Sequence, residues 1–511
     1  MLQIKNLTVT LTKDLRTLIE DFSFTLGDGD RAVIIGEEGN GKSTLLKLIY
    51  DASLTSGYAE YTGEIVTRGT RLGYLPQELG GADKALAIAD YCAAIPGFFD
   101  VTPKELARLT RALALPRDTA YSEQKIGTLS GGERVKLQLL RVLLEQPDVL
   151  LLDEPSNDID LPTLVWLENF INTCGKPVLF VSHDETLIEN TANVILHLEQ
   201  VRRKTVPRAT VARAAYGAYI GARARGLDRQ EQAARNEKAE YDAKPEKLRQ
   251  IQQKVEHRQN AVSRQDPHGG QLLKKKMKAV KSLEKRIDRE SADMTRPPDI
   301  EDAIFLKFDG AASVPNGKTV IDLILPELAA EGKVLARDIR LTVIGPRKVC
   351  ITGKNGAGKT TLLKIIAAEL RARGDVKCGY MPQNYEELLD MGKTPVEFLA
   401  RSGEREEVTR AMTLLGSVKY TADEMAHEIA ALSGGQKAKL MFLKMILDGC
   451  NVLVLDEPTR NFSPMSNPVI RGLLREYQGA ILSVSHDRRY IAEVCDTVYE
   501  LTEAGLTRGR L

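Results

Sequence analysis

No stretch of this sequence is both long and apolar. Aliphatic runs such as Val149–Leu152 have the length of a buried strand, far below the roughly 18 residues that a membrane helix needs. The start, Met1-Leu2-Gln3-Ile4-Lys5-Asn6, lacks the basic and then apolar pattern of a secretion signal. The expectation is a soluble, cytoplasmic protein with no membrane partner. Cysteine is also scarce. Cys92, Cys174, Cys350, Cys378, Cys450 and Cys495 are scattered and never form a C-x-x-C pair, which argues against zinc, iron–sulfur and disulfide frameworks and suggests buried, reduced thiols. Net charge is nearly absent too, at +1, but this balance hides a split. Residues 201–300 hold 25 Lys or Arg against 13 Asp or Glu, while the rest holds 46 against 57. A +12 segment between two acidic regions points to a polyanion partner.

At 511 residues, 43% of them hydrophobic, the chain exceeds one core and should form two or three packed domains. It repeats itself. Gly36-Glu-Glu-Gly-Asn-Gly41-Lys42-Ser43 matches Gly353-Lys-Asn-Gly-Ala-Gly358-Lys359-Thr360, and Tyr74-Leu-Pro-Gln77 returns as Tyr380-Met-Pro-Gln383. Leu129-Ser-Gly-Gly132, Asp153-Glu-Pro155 and Ser182-His-Asp184 all recur 303 residues later, as Leu432-Ser-Gly-Gly435, Asp456-Glu-Pro458 and Ser485-His-Asp487. Each half therefore reads as one domain, 1–200 and 301–511, with 201–300 between them. β-rich runs at Arg31–Ile35 and Val349–Thr352 each lead into a glycine loop and then a helical pattern. Val149–Leu152, Val178–Val181, Val452–Leu455 and Ile481–Val484 look like further buried strands of an α/β sheet, each ending at a chemically loaded residue.

The repeated G-x-x-x-x-G-K-[ST] loop lets glycines turn backbone N–H groups inward around phosphates, at the start of a helix whose dipole favours anions. Gly36, Gly39, Gly41, Lys42, Ser43 and Thr44, with Gly353, Asn355, Gly356, Gly358, Lys359, Thr360 and Thr361, are thus candidates to bind ATP. Ser43 and Thr360 offer hydroxyls to Mg²⁺, with Asp153 and Asp456 at strand ends to orient its shell and Gln77 and Gln383 beside it. Glu154 and Glu457 are placed to polarise water, and His183 and His486 close neighbouring strands.

These blocks resemble the ATP-binding-cassette superfamily, and the resemblance spans both halves. Leu-Ser-Gly-Gly distinguishes that superfamily from other phosphate-loop ATPases, because there it contacts ATP held by the opposite domain. The resemblance implies an ATPase of two tandem cassettes that pair within one monomer. Two composite sites follow: Lys42, Gln77, Glu154 and His183 with Ser433, Gly434 and Gly435; and Lys359, Gln383, Glu457 and His486 with Ser130, Gly131 and Gly132. Two features depart from the pattern. No aromatic residue in Leu7–Leu18 or Ile324–Leu335 can stack on adenine, and Thr459-Arg-Asn-Phe-Ser-Pro464 replaces the more usual Ser156-Asn-Asp-Ile-Asp160. The two sites should not be equivalent.

From about Arg213 to Asp293 the chain is rich in Ala, Glu, Gln, Lys and Arg, with a sparse apolar stripe that includes Leu248, Ile251, Met277 and Ile287. Ser263-Arg-Gln-Asp-Pro-His-Gly-Gly270 breaks it, predicting a helical hairpin with its tip at about 261–271. Arms of about 30 residues would hold the tip roughly 45 Å out. Lys274, Lys275, Lys276, Lys278, Lys281, Lys285 and Arg286 follow the turn; they form either a solvated face or an RNA-contacting one.

Tandem cassettes joined by such a hairpin resemble ABC-F proteins, and the turn and the Thr459–Pro464 segment resemble their antibiotic-resistance branch. That resemblance implies a 70S ribosome partner, with contacts to rRNA at the exit site and peptidyl transferase centre and to P-site tRNA. It also implies protection against lincosamides, streptogramin A and pleuromutilins. A housekeeping translation factor, a DNA-associated ATPase and a transporter ATPase are the alternatives.

Overall fold

In a computed structural model of the protein, residues 2–261, 313–330 and 332–509 are described, with isolated positions between 275 and 308. The first half opens with β1 (Leu2–Leu11) and β2 (Thr17–Leu26), followed by β3 (Arg31–Ile35), β4 (Ala59–Val66) and β5 (Leu72–Leu75). The strands β6 (Val149–Asp153), β7 (Val178–Val181), β8 (Val194–Gln200) and β9 (Val206–Ala212) come after a helical stretch. Two sheets result, an antiparallel β2-β1-β4 and a six-stranded β5-β6-β7-β3-β8-β9 that is parallel except for β9. Every residue of β6 and β7 is buried, as expected of parallel strands covered on both faces. Alternate residues of one face, such as Ala32, Ile34, Leu151 and Val181, pack on Leu45, Leu46 and Ile49 of the helix Lys42–Tyr50 and on Ile4, Val9 and Phe24 of the antiparallel sheet.

The second half repeats this plan. An antiparallel pair, β10 (Thr319–Ala330) and β11 (Lys333–Ile344), precedes β12 (Lys348–Thr352), β13 (Cys378–Met381), β14 (Val452–Asp456), β15 (Ala480–Val484), β16 (Thr497–Thr502) and β17 (Gly505–Arg508). The strand order β13-β14-β15-β12-β16-β17 matches the first half strand for strand. In both sheets the phosphate-loop strand sits where the chain order reverses, and the loops at the carboxyl ends of the parallel strands meet there. Registers place Asp153 opposite Val181 and Asp456 opposite Val484, so the acid and histidine loops leave the sheet side by side.

Residues 1–216 and 301–511 fold into one compact unit and 217–300 into another. The first sheet extends past residue 200, because β9 hydrogen-bonds to β8 and returns the chain before the linker begins. One helix, Tyr216–Ala261, then runs for 46 residues, about 69 Å at 1.5 Å per residue. It is half as long again as the arm expected from the sequence. Thr295 donates to Glu237 through its N–H at 2.6 Å and its hydroxyl at 2.8 Å, so the chain comes back alongside this helix. Lys275, Met277, Lys278, Ala279 and Ser282 are helical. The turn Ser263–Gly270 and Lys274, Lys276, Lys281, Lys285 and Arg286 lie outside the described residues. Among the described residues, no helix is long and apolar enough to cross a membrane. Four of the six cysteines are buried, and Cys174 and Cys378 are partly so.

Candidate active sites

Each phosphate loop leaves its central strand through a glycine that only glycine can supply. Gly36 has φ of 147°, and a Cβ there would lie 2.1 Å from the carbonyl oxygen of Leu198. The loop closes on Gly41, which starts the helix Lys42–Tyr50 in a left-handed conformation. Lys42 Nζ donates to the carbonyls of Gly36 at 2.9 Å and Glu37 at 3.0 Å, and Lys359 does the same to Gly353 at 2.7 Å and Lys354 at 2.9 Å. The two lysines are thereby pre-aimed across the loop where phosphate oxygens would sit.

Ser43 Oγ donates to Asp153 Oδ1 at 2.8 Å, and Thr360 Oγ1 to Asp456 Oδ2 at 2.7 Å. A hydroxyl and a carboxylate in contact, at the mouth of a phosphate loop, fit the few protein ligands that Mg²⁺ takes when phosphate and water supply the rest. Thr44 and Thr361 lie in the first turns of the helices behind. Gln77 stands exposed two residues after β5, whereas Gln383, in the matching place after β13, lines the cavity described below. Burial pushes Asp153 and Asp456 above the ordinary carboxylate range, against the pull of their hydroxyl partners.

Glu154 and Glu457 hold left-handed backbone conformations, with φ of 50° and 52°. Such strain in a non-glycine residue is retained where the surroundings over-determine it, commonly at reacting centres. The two glutamates differ in their surroundings. His183 Nε2 lies 2.9 Å from Glu154 Oε1, and His183 Nδ1 lies 2.8 Å from the carbonyl of Phe462 in the other half. Burial raises Glu154, but the charge and hydrogen bond of His183, with Lys42, outweigh it and hold the carboxyl below its usual range. Glu457 has weaker support: His486 Nε2 is 3.8 Å away, and the His486 N–H and Ser485 hydroxyl approach at 3.3 and 3.4 Å. Burial, aided by the Asp456 charge, pushes Glu457 up to about 8, while burial and the Lys359 charge hold His486 down at about 4. His486 Nδ1 is buried without a partner among the described residues.

The signature motifs open helices. Ser130 caps Gly131–Leu144 and Ser433 caps Gly434–Leu447, each through a capping box with the residue three places on. Both face the opposite half. A cavity of about 1230 Å³ brings Ser130 and Gly131 together with Gly356, Gly358, Lys359, Thr360, Thr361, Gln383, Asp456, Glu457 and His486. This is the second composite arrangement expected from the sequence, although Gly132 packs on Thr163 and does not line the cavity. At the first site the loop after Gly36 touches the other signature directly, with Glu38 Oε2 accepting from the Gly435 N–H at 2.6 Å. The halves are further joined by Asn355 Nδ2 donating to the Asp158 carbonyl at 2.6 Å, by Arg460 with Asp158 at 2.9 Å, and by a buried ion pair of Arg471 with Glu185. Leu335 borders the second cavity, in the segment where the sequence offers no aromatic platform.

Several of these residues escape motif reading. Phe462 and Asp158 act through backbone carbonyls, which leave no mark in a sequence. Tyr74, whose hydroxyl donates to Asp153 Oδ2 at 3.2 Å, was visible as part of the Tyr-x-Pro-Gln repeat. Glu37 and Glu38 were visible as the two positions where the phosphate loops differ most.

The chain is similar to known proteins along most of its length. The chain is 25% identical to ABC transporter F family member 5 of Arabidopsis thaliana, over 96% of its own length and 73% of that protein's. It is 27% identical to the probable ATP-binding protein YheS of Escherichia coli, over 96% and 77%. With the putative ATP-binding protein YdiF of Bacillus subtilis it shares 26% identity over 99% and 80%. Among solved structures, an archaeal ribosome recycling factor in complex with the ribosomal stalk protein aP1 has the same fold, with a TM-score of 0.59 at 16% identity over 99% of this chain and 90% of that one. The family described as ABC transporter matches residues 19–157 and 336–460, one span in each half and together just over half of the chain, so this protein is a tandem ATPase that belongs to that family.

Proposed function

We propose that the protein is a ribosome-binding ATPase of the ABC-F type. ATP and Mg²⁺ at the two composite sites hold the halves together, and hydrolysis, with Glu154 and Glu457 polarising water, lets them part. The observation that carries this is the facing of each signature motif toward the opposite phosphate loop within one compact unit, on a chain whose basic surplus is confined to residues 201–300. A transporter subunit has no use for a +12 segment between its cassettes, whereas rRNA phosphates do. The F-family names of its relatives and the ribosomal setting of a protein with the same fold support the partner. In this reading the linker follows rRNA from the exit site toward the peptidyl transferase centre, beside P-site tRNA. Its turn, Ser263–Gly270, determines protection against lincosamides, streptogramin A and pleuromutilins.

The test uses Glu154→Gln with Glu457→Gln, which should bind ATP without turning it over. The double variant is expected to co-sediment with 70S ribosomes in a sucrose gradient only with ATP, and not after nuclease treatment. Absence of co-sedimentation refutes the ribosome reading. Inhibitory concentrations in a sensitive host then decide between roles: ribosome binding without a shift for any of the three drug classes replaces protection by a housekeeping role in translation.

A further inference from the structure

The two phosphate loops differ at adjacent positions, Glu37-Glu38 in the first and Lys354-Asn355 in the second. The surfaces they face differ to match. Across from the second loop, Asp160 accepts from Thr163 N at 3.1 Å and Thr163 Oγ1 at 2.6 Å, and so caps the helix Leu161–Thr173. The Asp158 carbonyl beside it receives the Asn355 amide. In the second half the repeat puts Ser463 and Ser466 where Asp160 and Thr163 stand, and Ser463 Oγ accepts from the Ser466 N–H at 3.1 Å, so a neutral hydroxyl takes the place of the Asp160 carboxylate. Glu37 brings a carboxylate to this place from the other half. Its Oε1 accepts from Ser463 Oγ at 2.6 Å and from the Ser466 hydroxyl, both serines being buried. Burial would push this carboxyl up, but the Lys439 charge, the two serines and Lys42 hold it down at about 2. The acid missing from one half is supplied by the other.

Glu38 makes the second contact. Its Oε2 sits 2.6 Å from the Gly435 N–H at the start of the signature helix, and a Cβ on Gly434 would stand 3.3 Å from the same carboxylate. A negatively charged group thus occupies the donor that, in the composite-site reading, receives the terminal phosphate of ATP.

We propose that Glu37 clasps the first phosphate loop to the second half without help from nucleotide, and that Glu38 is a built-in competitor for the terminal phosphate of ATP at the first site. One N–H cannot serve a carboxylate and a phosphate together, and two anions at that distance repel. ATP at the first site must therefore turn out Glu38, an exposed residue. The apparent affinity falls by the fraction of time the donor is engaged. The second site has no such competitor, since Lys354 and Asn355 occupy those places. The first site is self-closed and weak for ATP, and the second is the one that responds to nucleotide level.

The proposal rests on the composite-site reading, and the experiment separates the two. In the full chain carrying Lys359→Ala, only the first site binds nucleotide, and Mg²⁺ with a fluorescent ATP analogue reports its dissociation constant. Glu38→Asn, which installs the residue of the other loop, should tighten binding about tenfold, the lower end of what a hydrogen bond to a charged group is worth. Glu38→Asp, with a retracted carboxylate, should fall between. In the Lys42→Ala chain, where only the second site binds, Glu38→Asn should change nothing. Unchanged or weaker binding at the first site with Glu38→Asn overturns the competitor. Ser433→Ala in the Lys359→Ala chain checks the frame: if it leaves first-site binding untouched, the composite site and the competitor fall together, whereas a loss there with no gain from Glu38→Asn removes the competitor alone.

Discussion

The unequal glutamates predict unequal pH profiles. Glu154→Gln leaves the second site as the working one, and Glu457→Gln leaves the first. In the second, burial and the neighbouring Asp456 charge place Glu457 at about 8, and the Lys359 charge and the His486 N–H offset this only in part. About one carboxyl in ten is then ionised at pH 7 and about nine in ten at pH 9, so hydrolysis that needs the carboxylate should rise about tenfold between them. In the first site the His183 contact and Lys42 overcome burial and keep Glu154 ionised through this range, so the Glu457→Gln chain should show a flat profile. The same shift bears on folding. A carboxyl whose pKa is raised in the fold favours the folded state fully at pH below its ordinary value, and that contribution drains away as pH rises toward about 8. Phosphate release at saturating Mg²⁺-ATP, measured from pH 6.5 to 9.5 at constant ionic strength on both chains, decides the matter. Superimposable profiles, or a rise confined to the Glu457→Gln chain, would refute the assignment of the two glutamates.

Removing the buried cation between the halves should be costly. Arg471 pairs with Glu185 across the interface and with Glu493 at 2.8 Å. Arg471→Ala leaves Glu185, among the described residues, with Arg489 alone, at 2.9 Å, and should destabilise the paired halves by about 3 kcal/mol, the low end for breaking a buried pair; a urea midpoint within experimental error of wild type would contradict this. Neutralising Lys274, Lys275 and Lys276 should weaken ribosome binding and lower its salt slope by about 0.7–0.9 log units per log salt for each phosphate that goes unneutralised. ATP turnover off the ribosome should stay as it was, and an unaltered slope would return these lysines to the solvated-face reading.

Much of this was legible because the chemistry is written twice. Strands such as Val149–Asp153 and Val452–Asp456 are unbroken aliphatic runs ending in the same acid, and the constant 303-residue offset fixed three motif pairs in corresponding places. The end of the first sheet was missed because β9, Val-Pro-Arg-Ala-Thr-Val-Ala, lies inside the basic region and alternates too weakly to stand out. The helix Tyr216–Ala261 is longer than the arm of about 30 residues expected, and it runs through Gly217, Gly221, Gly226 and Pro245 without ending. What no pattern could show is which atoms meet across the halves. The Phe462 carbonyl on His183 and the Asp158 carbonyl on Asn355 are contacts of backbone, and Glu37 means little until Ser463 and Lys439 are known to face it.

The matched loops also make each half choose its mate. Were two copies of the first half to meet, Glu37 would confront Asp160 where it now meets Ser463, placing two carboxylates against each other in a buried seam. Two copies of the second half would lose the acid, Asp158, that answers Arg460. Like charge against like charge is a rejection device. A chain built this way is pushed away from self-association through these faces, and its two halves recognise each other as lock and counterpart although they descend from one plan.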